Sequence, residues 1–245
     1  MTAQLLEVER LSKRFGGFIA LDDINLAITA GERVGLIGPN GSGKSTLVNC
    51  VCGTLVNEAG SVRFEGRDLA GQSAHQRTRL GMARSFQLPR PFASMTVADN
   101  LRVPLLYTVN ARRRVLSEAD IAKRCEELLT LVGLAHRSRH LPRDLTQVDM
   151  RKLELARAMA TDPKLLIADE AMAGLSHSEV TDIVTLLIRL NEEHGTTVIL
   201  IEHIMRAVMS FSQRLVVLVS GRKIADGRPD DVMRDAEVER AYLGQ

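Results

Sequence analysis

Apolar positions along the chain switch between two periods, and the switches mark its elements. Leu5–Val8 and Ile19–Ile28 alternate or run apolar like strands, separated by a Gly16-Gly17 turn. Val34–Ile37 is a short apolar run of the kind a buried strand shows. Leu47, Val48 and Val51 then recur at helical spacing to about Cys52. Further strands are predicted near Ser61–Phe64 and at Met82–Phe86. The pattern then turns helical over Thr96–Leu106, Glu118–Val132 and Val148–Met159, with Ile121, Cys125, Leu128, Leu129 and Val132 at spacings of three to four. Strand character returns at Leu165–Ala168, and a helix through Val180, Ile183, Val184, Leu187 and Leu190 is ended by Gly195. Thr197–Ile201 is another strand, Leu215–Val219 and Lys223–Ala225 form a hairpin around Ser220-Gly221, and two short helices run to Leu243.

Strands alternating with helices predict an α/β fold with a mostly parallel sheet, antiparallel strands at the N-terminus and an α-helical sub-lobe. The expected division is one domain over residues 1–245. Its core is residues 1–88 and 161–228, its helical sub-lobe residues 89–160 and its helical tail residues 229–245. No internal repeat or low-complexity linker interrupts it.

Composition narrows the setting. A chain of 245 residues with 45% hydrophobic and 25% charged residues is ordinary for a globular protein. No apolar run approaches the roughly 18 residues that a membrane span needs, and MTAQLLEVER has neither a basic nor an apolar export region. A membrane role is therefore expected to come through a partner. Cys50 and Cys52 lie two apart on a predicted helix and point to different faces, which disfavours chelation. Together with Cys125 they read as reduced, buried hydrophobes. Aromatic content of 3% with no Trp disfavours a base-stacking surface for single-stranded nucleic acid. The net charge of +2 hides an asymmetry: between Ala74 and Ala160 sixteen Lys or Arg face eight Asp or Glu, so that stretch carries +8 and the rest −6. Such a segment is either a solvated helical face or a surface for nucleic acid, anionic lipid or an acidic partner.

The most specific chemistry lies after the Val34–Ile37 strand. Gly38-Pro39-Asn40-Gly41-Ser42-Gly43-Lys44-Ser45-Thr46 is a complete phosphate-binding loop between a strand and a helix. Its glycines let backbone N–H groups turn inward around phosphates, Lys44 supplies a point charge, the Ser45 hydroxyl is a Mg²⁺ ligand, and the helix adds its positive end. The fold class is accordingly a P-loop NTPase core, with a nucleoside triphosphate and Mg²⁺ as expected ligands. Asp169 and Glu170 close a buried apolar strand, where the first can hold Mg²⁺ and the second can polarise an attacking water. His203 follows the Thr197–Ile201 strand at the same sheet edge, placed for the γ-phosphate or the water. Gln87, just past another strand, can touch both metal and water.

This ordered set resembles the ATP-binding cassette (ABC) ATPases over essentially the whole chain. GPNGSGKST looks like the Walker A loop, Gln87 the Q-loop, Leu165–Glu170 (LLIADE) the Walker B strand, Ala173–Ser176 the D-loop and His203 the switch histidine. The resemblance implies that Phe15 stacks on adenine. RFGGFIALDDINL, SFQLPRPFASMTVADNL, KLELARAMA, LIEHIM and ERAYLG are similar to the ATPase subunits of branched-chain amino-acid type importers. One motif departs. The family's signature, Leu-Ser-Gly-Gly-Gln or a near variant, acts in trans on the nucleotide of a second cassette, and here its register reads Leu145-Thr146-Gln147-Val148-Asp149. Thr146 and Asp149 keep an N-terminal capping pair, but β-branched Val148 replaces a glycine where backbone approaches phosphate. Ala171 and Ser176 are lesser departures, from proline and from aspartate or asparagine.

The resemblance implies an ATPase that powers import of an amino acid or similar small solute. It works at the cytoplasmic face of the inner (plasma) membrane, held there by integral-membrane permease subunits and served by a separate solute-binding protein. A second ABC ATPase subunit, in a homodimer or a heterodimer with the heterodimer favoured, is the expected partner, and no nucleic acid is expected. Two alternatives stand beside it: a soluble cassette ATPase acting on nucleic acid or ribosomes, and a regulatory subunit impaired in hydrolysis by the altered signature.

Overall fold

A computed structural model describes residues 4–85, 89–109 and 115–243. Two sheets organise them. The larger has six strands in the order β10-β9-β3-β8-β7-β6: β3 (Arg33–Ile37), β6 (Met82–Ser85), β7 (Leu165–Asp169), β8 (Thr197–Ile201), β9 (Arg214–Val219) and β10 (Arg222–Gly227). All pair in parallel except β10, which returns antiparallel on β9. The second sheet is antiparallel, in the order β2-β1-β4-β5. It comprises β1 (Gln4–Phe15), β2 (Phe18–Thr29), β4 (Ala59–Phe64) and β5 (Arg67–Asp68).

Period-2 alternation sorts the parallel strands between two cores. Leu165 and Ile167 of β7 and Ile199 and Ile201 of β8 face a layer that includes Leu47, Val48 and Val51 of α1 (Lys44–Cys52) and the apolar face of the antiparallel sheet. The helix after the phosphate loop is thus clamped between two sheets. Leu166, Ala168, Val198 and Leu200 face the opposite way, into a cluster shared with α3 (Val97–Pro104), α4 (Glu118–Leu131), α5 (Gln147–Met159) and α6 (His177–His194), introduced after α2 (Ala74–Leu80). The apolar interior of the helical segment is therefore continuous with that of the sheet. A third cluster joins Ile37, at the mouth of the loop, to α7 (Met205–Phe211), α8 (Pro229–Val232) and α9 (Ala236–Leu243).

The structure departs from the sequence pattern in a few places. The N-terminal strands form their own sheet. α2 and α7 were not signalled by apolar spacing. The helix expected over Thr96–Leu106 ends at Pro104 and continues as a π-helical turn, Leu105–Val109, because proline brings no N–H and crowds the preceding turn. Burial raises the thiol pKa of all three cysteines, Cys52 to about 11, and all are free.

Part of the basic segment is consumed internally. Arg102 pairs with Glu118, Arg124 with Glu127 and Arg157 with Glu154. Arg77 is 6% exposed and donates to Cys50 O (2.8 Å), Val51 O (2.7 Å), Leu69 O (2.9 Å) and Gln72 O (3.1 Å). A cation there also meets the negative end of α1. Arg77→Met keeps the stem but strands buried carbonyls, so it should lower stability by about 3 kcal/mol, seen as a lower urea midpoint. An unchanged midpoint would show that the carbonyls find other donors.

Candidate functional site

Backbone geometry dictates the glycines at the end of β3. Gly38 has φ 152° and Gly43 φ 104°. A Cβ would lie 2.1 Å from Leu218 O at Gly38 and 2.7 Å from Ala20 O at Gly43, so neither position admits a side chain without moving backbone. Gly43 caps α1 in the left-handed conformation without a side-chain cap. The first-turn N–H groups of Lys44, Ser45 and Thr46 have no partners within the helix and are left for a ligand. The loop is braced by Gly221 N–H, which donates to Ser42 O (3.0 Å), and by Asp22 N–H, which donates to Gly221 O (2.8 Å). Asn40, Gly41 and Ser45 stay exposed, Pro39 and Thr46 half-buried and Ser42 buried.

Lys44 is 6% exposed and folds back over the loop. Its Nζ donates to Gly38 O (2.7 Å) and Pro39 O (3.0 Å) and lies 3.5 Å from Ser42 Oγ. Burial pushes its pKa down, while the charges of Glu170 and then Asp169 draw it back up. Asp169 ends β7, 5% exposed, and its Oδ2 accepts from Arg84 Nη2 at 2.6 Å. Glu170 follows with φ 47°, a left-handed conformation costly for a side-chain-bearing residue, and its N–H donates to Ile201 O (2.9 Å). Its Oε1 lies 3.1 Å from Nε2 of His203, just past β8. The structure therefore gathers Lys44, Asp169, Glu170 and His203 at the carboxyl ends of β3, β7 and β8, where ligands of open α/β sheets bind. Gln87 lies outside the described residues.

Phe15 is exposed at the β1–β2 turn, opposite Phe18, with Lys13 Nζ 5.3 Å from its ring centre. The same hairpin supplies Ala20, which borders Gly43. At the start of α5 the Thr146 hydroxyl accepts from Asp149 N–H (3.2 Å), the cap expected from sequence. Leu145 and Val148 are half-buried and pack on the helical core. Gln147 is exposed and reaches across Gly174, its Nε2 3.4 Å from Ala173 O. Arg151 also donates to Ala173 O (3.3 Å), so the segment after Glu170 is tied to the signature helix of its own chain.

Two residues of this site escaped the sequence reading. Glu202 is 4% exposed, its pKa raised by burial, and accepts from Met172 N–H (2.8 Å), fixing the turn after Glu170. Arg84 binds Asp169 and also Asn49 Oδ1 (2.7 Å). A basic residue inside a short buried strand was the available signal for Arg84.

The residues suit a nucleotide with Mg²⁺. A loop that admits no Cβ, N–H groups at a helix start and a buried ammonium fit phosphates. Among the described residues no cluster of three or more His, Cys, Asp or Glu could hold a metal. One carboxylate and a hydroxyl instead suit an ion that shares phosphate oxygens.

Loop, carboxylate pair and histidine at adjacent strand ends define a P-loop ATPase. The chain belongs to the ABC transporter family, whose model matches residues 21–173, and it is an ATP-binding and ATP-hydrolysing subunit of that family. Within the family it is of the branched-chain amino acid type, and the model described as "Branched-chain amino acid ATP-binding cassette transporter" matches residues 222–245. The high-affinity branched-chain amino acid transport ATP-binding protein BraF of Pseudomonas aeruginosa is 38% identical, with 100% of each chain covered. LivG of Escherichia coli, with the same description, is 37% identical over 100% of both. The ADP conformation of MJ1267, an ATP-binding cassette of an ABC transporter, superposes with a TM-score of 0.88 at 31% identity, covering 100% of both chains. No helix among the described residues is long and apolar enough to cross a membrane.

Proposed function

We propose that this chain powers import of an amino acid or similar small solute from the cytoplasmic face of the inner membrane. It would act through integral-membrane permease subunits and a separate solute-binding protein. The observation that carries this reading is the convergence of Lys44, Asp169, Glu170 and His203 on one phosphate loop, in a chain similar end to end to branched-chain amino acid transport ATPases.

The loop from Gly38 to Thr46 wraps the phosphates with its N–H groups, and Lys44 turns from its carbonyl acceptors to their charge. Ser45, Asp169 and Gln87 are the residues that would hold Mg²⁺, which would offset phosphate charge there. Glu170 accepts the proton of the attacking water, and His203, bonded to it, fixes its orientation beside the γ-phosphate. Phe15 offers its exposed ring to adenine. Residues 1–88 and 161–228 carry nucleotide, residues 89–160 form a lobe that delivers Leu145–Asp149 to a second cassette, and residues 229–245 are a helical tail.

Co-purification tests the assignment. Integral-membrane subunits should be retained with the chain, and ATP-driven solute uptake should follow reconstitution. Retention of RNA, DNA or ribosomes in their place would overturn it.

The altered signature favours a heterodimer. Thr146 and Gln147 are the exposed side chains at the start of α5, where a glycine-rich turn would leave backbone bare. A homodimer would place these substitutions over both nucleotides. With a partner whose signature is unaltered, the site built on this chain's Lys44 and Glu170 would be the dominant one. In the assembled transporter, Glu170→Gln should then cost far more ATPase activity than the equivalent change in the partner. Val148, expected from sequence to be the obstruction, packs on the helical core, so the obstruction falls to the exposed Gln147. In the isolated chain, Gln147→Gly should therefore raise turnover despite a helix-propensity cost of about 1 kcal/mol. Equal losses from the two glutamate changes, or no gain from Gln147→Gly, would reject the asymmetry.

A further inference from the structure

Asp169 is a buried carboxylate that already has a cation. Arg84, in the middle of β6, sends Nη2 to Asp169 Oδ2 at 2.6 Å and Nη1 to Asn49 Oδ1 at 2.7 Å. One guanidinium therefore ties β6 to the end of β7 and to α1, the helix that opens with Lys44. The pair is well shielded, with side-chain exposures of 18% for Arg84 and 8% for Asp169, so its charges interact through little water. An unpaired carboxylate at this depth would be strongly disfavoured.

Arg84 also borders open space. It lines a cavity of about 390 Å³ between α2, β6, α3 with its π-helical turn, and α5. Thr78, Thr108 and Glu154 also line it, and Glu154 pairs with Arg157 at 2.9 Å. Arg84 thus has a strong hold on Asp169, space to withdraw into and a second carboxylate in that space.

The geometry points to Arg84 as a resident counter-ion that keeps Asp169 neutralised in the nucleotide-free chain and gives up that carboxylate when Mg²⁺ enters with nucleotide. This rests on the nucleotide-site reading above and adds a competition to it. A guanidinium cannot lose its proton, so it opposes a divalent cation at the same oxygens until it moves. Arg84 is a positioning residue: it acts on the metal site through Asp169 and touches no substrate.

The test is the Mg²⁺ concentration that half-saturates binding of a fluorescent ADP analogue by the purified full chain, with melting of the nucleotide-free protein beside it. Arg84→Gln should melt lower without nucleotide, because Asp169 loses its cation. It should also need roughly fivefold less Mg²⁺, because nothing is left to displace. Arg84→Lys keeps the charge but cannot span Asn49 and Asp169 together, so its requirement should fall between the two. If Arg84→Gln does not fold, the lysine variant against the unaltered chain decides alone. A Mg²⁺ requirement equal to or above that of the unaltered chain, in whichever variants fold, would make Arg84 a fixed strut and overturn the proposal. Failure of the unaltered chain to bind nucleotide would instead strike the nucleotide-site reading and is distinguishable at the first titration.

Discussion

Glu170→Gln is expected to bind ATP as tightly as the unaltered chain while turnover falls by about 10²-fold or more, the lower range for losing a positioned general base. The backbone places this side chain. Glu170 is held left-handed at φ 47° with its N–H on Ile201 O, which turns the carboxylate off the end of β7 toward His203 and Lys44. Glutamine has the same shape, and its amide can still bond His203 Nε2, so the turn and the fold should survive. What it cannot do is accept a proton from water. Calorimetry of ATP binding and phosphate release in the assembled transporter separate the two effects, and gel filtration with ATP should show a longer-lived cassette dimer. Turnover near that of the unaltered chain would remove Glu170 from the chemistry.

The chain discloses its site more readily than its layers, for physical reasons. β7 and β8 are buried on both faces along all five residues, so Leu165–Ala168 and Val198–Ile201 read as unbroken apolar runs whatever packs on them. The loop is legible because a Cβ at Gly38 or Gly43 would collide with backbone. Elements held by distant contacts are silent. α2 reads Ala-His-Gln-Arg-Thr-Arg-Leu, with no apolar stripe, and is anchored by the bonds Arg77 makes to carbonyls of α1 and of the loop between β5 and α2. The separate antiparallel sheet is equally hidden, since alternation along β1 and β2 specifies which face is buried but not which strand lies alongside. Arg84 and Asp169 are 85 positions apart, and neither residue's neighbours in sequence name the other. At the signature, the sequence announces a β-branched residue in a glycine's place, but only the structure shows Val148 packed against the helical core and Gln147 lying outward across Gly174.

Lys44→Met should lower affinity for ATP by about 10²- to 10³-fold, corresponding to roughly 3–4 kcal/mol for one charge-assisted contact made away from water. The argument turns on what Lys44 does before nucleotide arrives. Its ammonium is buried and bonded to Gly38 O and Pro39 O, with Glu170 and Asp169 as the charges that keep it protonated against the pull of burial. Nucleotide replaces two neutral carbonyls with phosphate oxygens at the same ammonium, and the gain from that exchange is what methionine forfeits. The fold should bear the loss, because methionine fills the space of the lysine stem and removes a charge that burial disfavours. Asp169 keeps Arg84 and Glu170 keeps His203, so neither carboxylate is stranded. Melting of the nucleotide-free variant should therefore stay within a few degrees of the unaltered chain while calorimetric ATP binding falls out of the micromolar range. Undiminished affinity in a folded Lys44→Met chain would mean that the backbone N–H groups and the α1 terminus suffice, and that the ammonium serves only to hold the empty loop closed.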